Sequence, residues 1–233
     1  DLGQSALFAE NAANMGIKAQ DAEFVVVSHG HYDHGGGIPA FLSLNDGAPI
    51  YLHKKAFTKH YSLKDGVAKY IGLAQDLQGN GRIRPTDGVQ SISDGITLFA
   101  GCSGNEYFSP ANIRILKSEG GKLVCDDFCH EQSLIIQEDE YSVLLAGCAH
   151  SGILNIIAKA EEIIGKPITH VVAGMHLSGV ADHSFIEGLA NALKAKNRIY
   201  YTCHCTGVEA YNEMKSILGA QISHIATGDT IKI

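Results

Sequence analysis

Residues Ser28-His29-Gly30-His31-Tyr32-Asp33-His34 carry three imidazoles and a carboxylate on one short stretch. Ahead of them runs Glu23-Phe24-Val25-Val26-Val27, apolar and β-branched, which reads as a buried strand. Behind them come Gly35, Gly36 and Gly37, then Ile38, Ala40, Phe41 and Leu42, the apolar pattern of a helix opening. A rigid strand thus ends in a turn loaded with ligands, and the turn feeds a helix. Neutral imidazole and carboxylate are the common ligands of zinc and of other divalent transition metals. In extended chain His29 and His31 project to one side, and the turn then swings Asp33 and His34 toward another point. One segment can therefore serve two ions about 3.5–4 Å apart, the spacing of two-metal hydrolytic sites.

Three later segments each end an apolar run on a histidine. Leu144-Leu145-Ala146-Gly147-Cys148-Ala149-His150 precedes Ser151-Gly152-Ile153, Val171-Val172-Ala173-Gly174-Met175-His176 precedes Leu177-Ser178-Gly179, and Tyr200-Tyr201-Thr202-Cys203-His204 precedes Cys205-Thr206-Gly207. Sites in α/β proteins gather where strands end and loops begin. His150, His176 and His204 are therefore candidates, whereas His170, His183 and His224 read as structural. His53 and His60 fall in a lysine-rich stretch and read as surface residues.

Around these points the pattern predicts a helix over 5–15, a strand over 23–28, a helix over 36–44 and a strand over 49–52. Residues 53–84 read as a partly helical excursion suited to substrate contacts. Runs at 89–92 and 96–99 flank Ser93-Asp94-Gly95 as a hairpin, 100–122 read as loop, and 134–136 pairs with 142–145. Helices over 152–164, 182–196 and 207–218 then alternate with strands at 168–173 and 198–202. The chain closes with 222–226 and a short strand at 230–233. Strand-rich first and alternating later, this order implies sheets flanked by helices in one domain over 1–233.

The 233 residues are 45% hydrophobic and 18% charged, enough to bury a substantial core. A net charge of −7 argues against a nucleic-acid partner, which would need a basic face. No apolar run approaches the roughly 20 residues that span a bilayer. Without a leader, the six cysteines read as reduced thiols of a cytoplasmic protein. The spacings Cys125-x3-Cys129 and Cys203-His204-Cys205 match no common zinc-ribbon pattern.

His29-Gly30-His31-Tyr32-Asp33-His34 resembles the His-x-His-x-Asp-His signature of the metallo-β-lactamase superfamily. The resemblance implies a four-layer αββα sandwich, of mixed α/β class, with a one- or two-metal site at one edge. Gly147-Cys148-Ala149-His150-Ser151-Gly152-Ile153, Gly174-Met175-His176-Leu177, His204-Cys205-Thr206-Gly207 and Asp126-Asp127-Phe128-Cys129-His130-Glu131-Gln132-Ser133-Leu134 are similar to one branch of it. That branch is known for 7,8-dihydropterin-6-methyl-4-(β-D-ribofuranosyl)aminobenzene 5′-phosphate synthase. In such relatives an Asp-x-Gly turn follows a strand. Asp1-Leu2-Gly3 is therefore expected beside a bare sheet edge at 23–28, or one covered by a neighbouring chain.

Most two-metal members bridge their ions with an aspartate after a Gly. Here the comparable strand ends Gly147-Cys148, so either Cys148 bridges as a thiolate or His150 completes the first metal, with His130 ranked behind it. The preferred assignment gives one ion His29, His31 and His150 and the other Asp33, His34 and His204, with zinc expected and manganese or iron as alternatives. Asp33 would also orient a metal-activated water, and His176 would bind metal or give a proton to substrate. The leading expectation is hydrolysis of a small phosphorylated or ester-like molecule, with neither nucleic acid nor membrane as partner and an oligomer left open. Dihydropterin transfer and a non-enzymatic metal-binding module are the alternatives.

Overall fold

Short β-branched runs and amphipathic helices follow one another along the chain in the computed structural model, which describes residues 1–233. In order they are α1 (Leu7–Asn14), β1 (Val25–Val27), α2 (Tyr32–Gly35), α3 (Ile38–Leu44), β2 (Ile50–His53), β3 (His60–Lys64), β4 (Val67–Tyr70) and β5 (Ile83–Thr86). Then come β6 (Val89–Ser93), β7 (Ile96–Ala100), β8 (Ile115–Glu119), β9 (Lys122–Cys125), β10 (Gln132–Gln137) and β11 (Ser142–Ala146). The last part alternates: α4 (Ile153–Ile164), β12 (His170–Ala173), α5 (His183–Lys194), β13 (Ile199–Thr202), α6 (Val208–Leu218) and β14 (Ile222–His224). The chain divides into two units, Asp1–Gly88 with Ile113–Gln132, and Val89–Asn112 with Ser133–Ile233. No helix is long and apolar enough to cross a membrane.

In the first unit β1, β2 and β5 form a parallel sheet with β1 at its edge. Val25, Val27, Ile50 and Leu52 of this sheet pack with Ile38 and Phe41 of α3 and with Leu73. The first residue lies along the β1 edge: the Asp1 nitrogen donates to Val26 O at 3.0 Å, and the Asp1 carboxylate accepts from the Ser28 N–H at 2.6 Å. Gln132, buried, bonds to all three strands through its side chain. Its side-chain amide donates to Val27 O at 2.7 Å and to Tyr51 O at 3.1 Å, while Thr86 Oγ1 donates to its carbonyl.

Two predictions about this unit need correction. Residues 53–84 hold, besides a short 3-10 turn at Gln75–Leu77, the hairpin β3–β4, and the stretch read as loop over 100–122 contains β8 and opens a second hairpin, β8–β9. Both turn on residues at positive φ, Asp65 and Gly66 at 51° and 76°, Gly120 and Gly121 at 56° and 80°. Such pairs match the right-handed twist of a tight hairpin. The hairpins join through β3 and β8 into a sheet ordered β4-β3-β8-β9.

The second unit holds a seven-stranded sheet, β14-β13-β12-β11-β10-β7-β6. The hairpin β6–β7 and the antiparallel pair β10–β11 lie where the sequence places them, and β11 to β14 run parallel. The α4 to α6 helices supply Ile156, Ile157, Leu189, Leu193 and Met214 to a core shared with Leu144, Val171 and Tyr200. Parallel register aligns Ala146 with Ala173 and Ala173 with Thr202, so three neighbouring strands finish at one level. Residues 230–233, expected as a strand, form none: the last strand stops at His224.

Candidate metal centre

The ligand turn of the first unit leaves β1 at Ser28 and enters α2 at Tyr32, as its sequence implies. His29, His31 and His34 are buried, and their rings gather: His29 is 4.5 Å from His31 and 4.0 Å from His34 between centroids. Asp33 Oδ2 lies 3.6 Å from His34 Nε2. Glycine is required at position 30, because a Cβ there would collide with the backbone carbonyl of Ala56.

Hydrogen bonds decide which ring nitrogen each histidine presents. Asp1 Oδ2 stands 2.6 Å from His34 Nδ1 and accepts the Ser28 hydroxyl at 2.9 Å. That leaves the Ser28 oxygen to accept from His29 Nδ1, also at 2.9 Å. With the proton held on Nδ1 in both rings, the lone pairs of His29 and His34 lie on Nε2. A metal-binding histidine commonly has its other nitrogen fixed in this way by a carboxylate or similar acceptor.

A second group of buried polar residues lies in the same unit. His60, at 0% exposure, opens β3 and is its one fully buried residue, which corrects its reading as a surface residue; His53 is buried too. His60 Nδ1 meets Asp126 Oδ2 at 2.6 Å, and His130 Nε2 lies 3.4 Å from the same oxygen. Burial opposes ionisation of Asp126, but His130 and His60 outweigh it and hold the carboxyl well below the usual range. Burial pushes His130 down to about 4 and holds His31 well below its ordinary value. The ligand atoms of His31, His60, Asp126 and His130 all fall within 4.8 Å of one another.

In the second unit each of the three strand-end histidines sits on a strained turn. Ala149, His176 and His204 adopt φ of 51°, 47° and 51°, a region that residues with a side chain seldom enter and that clusters at functional sites. His150 is buried; its Nδ1 is 2.9 Å from Asn112 Oδ1, and Asn112 Nδ2 donates to His150 O at 2.8 Å. This places the proton of His150 on Nδ1 and the lone pair on Nε2. His176 and Cys205 lie with Cys148 in a group whose ligand atoms are within 4.8 Å of one another, and the His176 N–H donates to Cys205 Sγ at 3.2 Å. Interaction with Cys148 holds the Cys205 thiol well below its ordinary value against the effect of burial. His204, exposed, begins a short 3-10 turn after β13. Beside these loops a surface cavity is lined by Leu177, Ser178, Gly207, Glu209 and Glu213.

The family model described as the metallo-beta-lactamase superfamily matches residues 2–115. A crystal structure of Tm1679, a metal-dependent hydrolase of the β-lactamase superfamily, superposes over 100% of this chain and 87% of its own, with a TM-score of 0.83 and 28% identity. The chain is similar to the metallo-β-lactamase superfamily in sequence over residues 2–115 and in fold throughout. Its similarity to the dihydropterin branch is also present: the 7,8-dihydropterin-6-methyl-4-(β-D-ribofuranosyl)-aminobenzene-5′-phosphate synthase of Methanocaldococcus jannaschii is 26% identical over 99% of this chain and 83% of that protein. A second protein of that organism, the uncharacterized MJ0448, is 25% identical over 97% of this chain and 85% of its own length.

Set within the metallo-β-lactamase fold, the ligand turn is where the motif puts it, and the residues that sequence reasoning passed over are its supports. Asp1, Ser28 and Asn112 orient histidines without being expected to. The Asp-x-Gly opening was the one available signal for Asp1, since a carboxylate before a small-residue turn is free to reach a neighbouring strand end. Nothing local marks Asn112, which lies 38 residues from His150.

Proposed function

We propose that the chain is a metal-dependent hydrolase acting on a small phosphorylated or ester-like substrate, with two divalent ions, zinc foremost. The observation that carries the reading is the fixed tautomer of His29, His34 and His150, whose Nδ1 atoms face Ser28, Asp1 and Asn112. Histidines serving only as packing have no need of a common orientation, whereas ligands do. The ions are assigned to His29, His31, Asp33 and His34 on the ligand turn and to His150 and His204 in the second unit. Metal held by such residues lowers the pKa of bound water from 15.7 toward about 7 and neutralises charge developing on a phosphoryl or acyl oxygen.

The chain's own residues then have separate tasks. Asp33, half-buried beside His34, is suited to accept a hydrogen bond from the attacking water and so orient it. His176, half-buried on its strained turn, is assigned to the substrate as proton donor. The cavity beside Leu177 and Gly207 offers polar groups, including the Ser178 hydroxyl, for holding a substrate.

Metal analysis of the purified protein together with a phosphatase and esterase panel tests the reading. His31→Ala is expected to lose at least one equivalent of metal and all hydrolysis. Full occupancy in that variant would overturn the ligand assignment. A second reading, transfer of a dihydropterin group, draws on the similarity to the M. jannaschii synthase over nearly the whole chain. Product formation from a dihydropterin diphosphate and an aromatic amine, with no turnover in the hydrolase panel, would select it.

A further inference from the structure

We propose that His60 is a metal ligand, binding a divalent transition-metal ion through Nε2 together with His31, while Asp126 and His130 hold it in place. The inference rests on the metal-binding part of the reading above and not on hydrolysis.

The four residues His31, His60, Asp126 and His130 are close enough to form a four-ligand site, but their hydrogen bonds give them different tasks. Take His130 first. Its Nδ1 accepts the Gly30 N–H at 2.9 Å, so in the neutral ring the proton lies on Nε2. That nitrogen points a donor, not a lone pair, toward Asp126 Oδ2 at 3.4 Å. His130 is therefore a support. Asp126 is one as well. Its Oδ1 accepts the Phe128 N–H at 2.8 Å and its Oδ2 faces His60 and His130, so its lone pairs are directed at donors from the protein.

His60 is the reverse case. Its Nδ1 proton is committed to Asp126, which leaves Nε2 as an acceptor. That atom is buried and has no hydrogen-bond partner. Buried acceptors are nearly always satisfied, and a carboxylate-backed imidazole with its second nitrogen unpartnered is the arrangement found around bound zinc. The neighbouring ring is His31, 5.4 Å away between centroids and inclined at 77°. The backbone around the support is strained in keeping with a functional role: Phe128, 2% exposed, is held at φ 52° between Asp126 and His130. A donor set of two imidazoles suits zinc, iron, copper or nickel better than magnesium or calcium.

The test uses the full chain, uniformly labelled with nitrogen-15 and loaded with cadmium-113. The His60 Nε2 resonance is expected to show one-bond coupling to cadmium, with the proton on Nδ1. A protonated Nε2 without coupling would overturn the proposal, and this readout needs no variant to fold. In parallel, zinc titration of His60→Ala should show a site lost or weakened at least tenfold, and Asp126→Asn a smaller loss. Wild-type zinc affinity and stoichiometry in a folded His60→Ala protein would also overturn it. If His31→Ala loses metal while His60→Ala does not, this inference alone fails. If both retain all metal, the ligand turn is misassigned as well.

Discussion

Asp1 Oδ2 and His34 Nδ1 stand 2.6 Å apart, the same separation as Asp126 Oδ2 and His60 Nδ1. Two carboxylates remote in sequence thus treat two buried histidines alike, each fixing the proton on one nitrogen and raising the basicity of the other.

Removing the first of these carboxylates tests the idea without touching a ligand. Asp1→Ala should weaken metal binding by about 10–100-fold, the usual effect of losing a supporting acceptor. Competition against a chromophoric chelator measures it, and an unchanged affinity would separate Asp1 from the metal turn.

In the second unit the choice lies between an imidazole and a thiolate. His150→Ala should lose metal, Asn112→Ala should weaken it by about 10–100-fold, and Cys148→Ser should keep most of it. X-ray absorption on the zinc-loaded protein distinguishes the two, since Zn–N lies at about 2.0–2.1 Å and Zn–S at about 2.3 Å. A sulfur shell that disappears in Cys148→Ser would reverse the assignment.

Gln132 is the stability prediction for the first unit. Gln132→Leu keeps much of the volume but strips the donor from Val27 O and Tyr51 O. Each buried carbonyl left bare costs about 1–3 kcal/mol. The urea midpoint should fall accordingly, with the slope unchanged.

How much of this was legible without coordinates depends on the range over which each feature is made. The ligand turn is local: strand, glycines and ligands lie within a dozen or so residues, and it folds as its pattern implies. The helices after α4 are equally local, each alternating with a strand. His60 defeated the reading because its flanks, Lys59 and Tyr61, look like surface, and the side chains packed around it, His31, Asp126 and His130, are remote in sequence. The β3–β4 and β8–β9 hairpins were missed for want of weight on Asp65-Gly66 and Gly120-Gly121, small turn signals inside lysine-rich sequence.

A pH dependence is expected at α5. Asp182 caps the helix by accepting from Phe185 N–H and from the Ser184 hydroxyl, and these bonds lower its carboxyl pKa. A depressed folded pKa gives stability that is present above the unfolded value of about 3.9 and is lost as pH falls through the folded one. Amide exchange over the first turn of α5 should therefore be faster in Asp182→Ala than in wild type at neutral pH. The difference should close in acid. Equal protection at neutral pH would mean the cap contributes nothing.

The hydrogen bond from Gly30 to His130 spans 100 residues of chain. During synthesis at about 5–20 residues per second, the ligand turn leaves the ribosome several seconds before the side chain that braces it. His29, His31 and His34 are therefore exposed as a loose run of imidazoles for that interval. Any metal they take up before His130 and Asp126 arrive is held by an unbraced turn and exchanges easily.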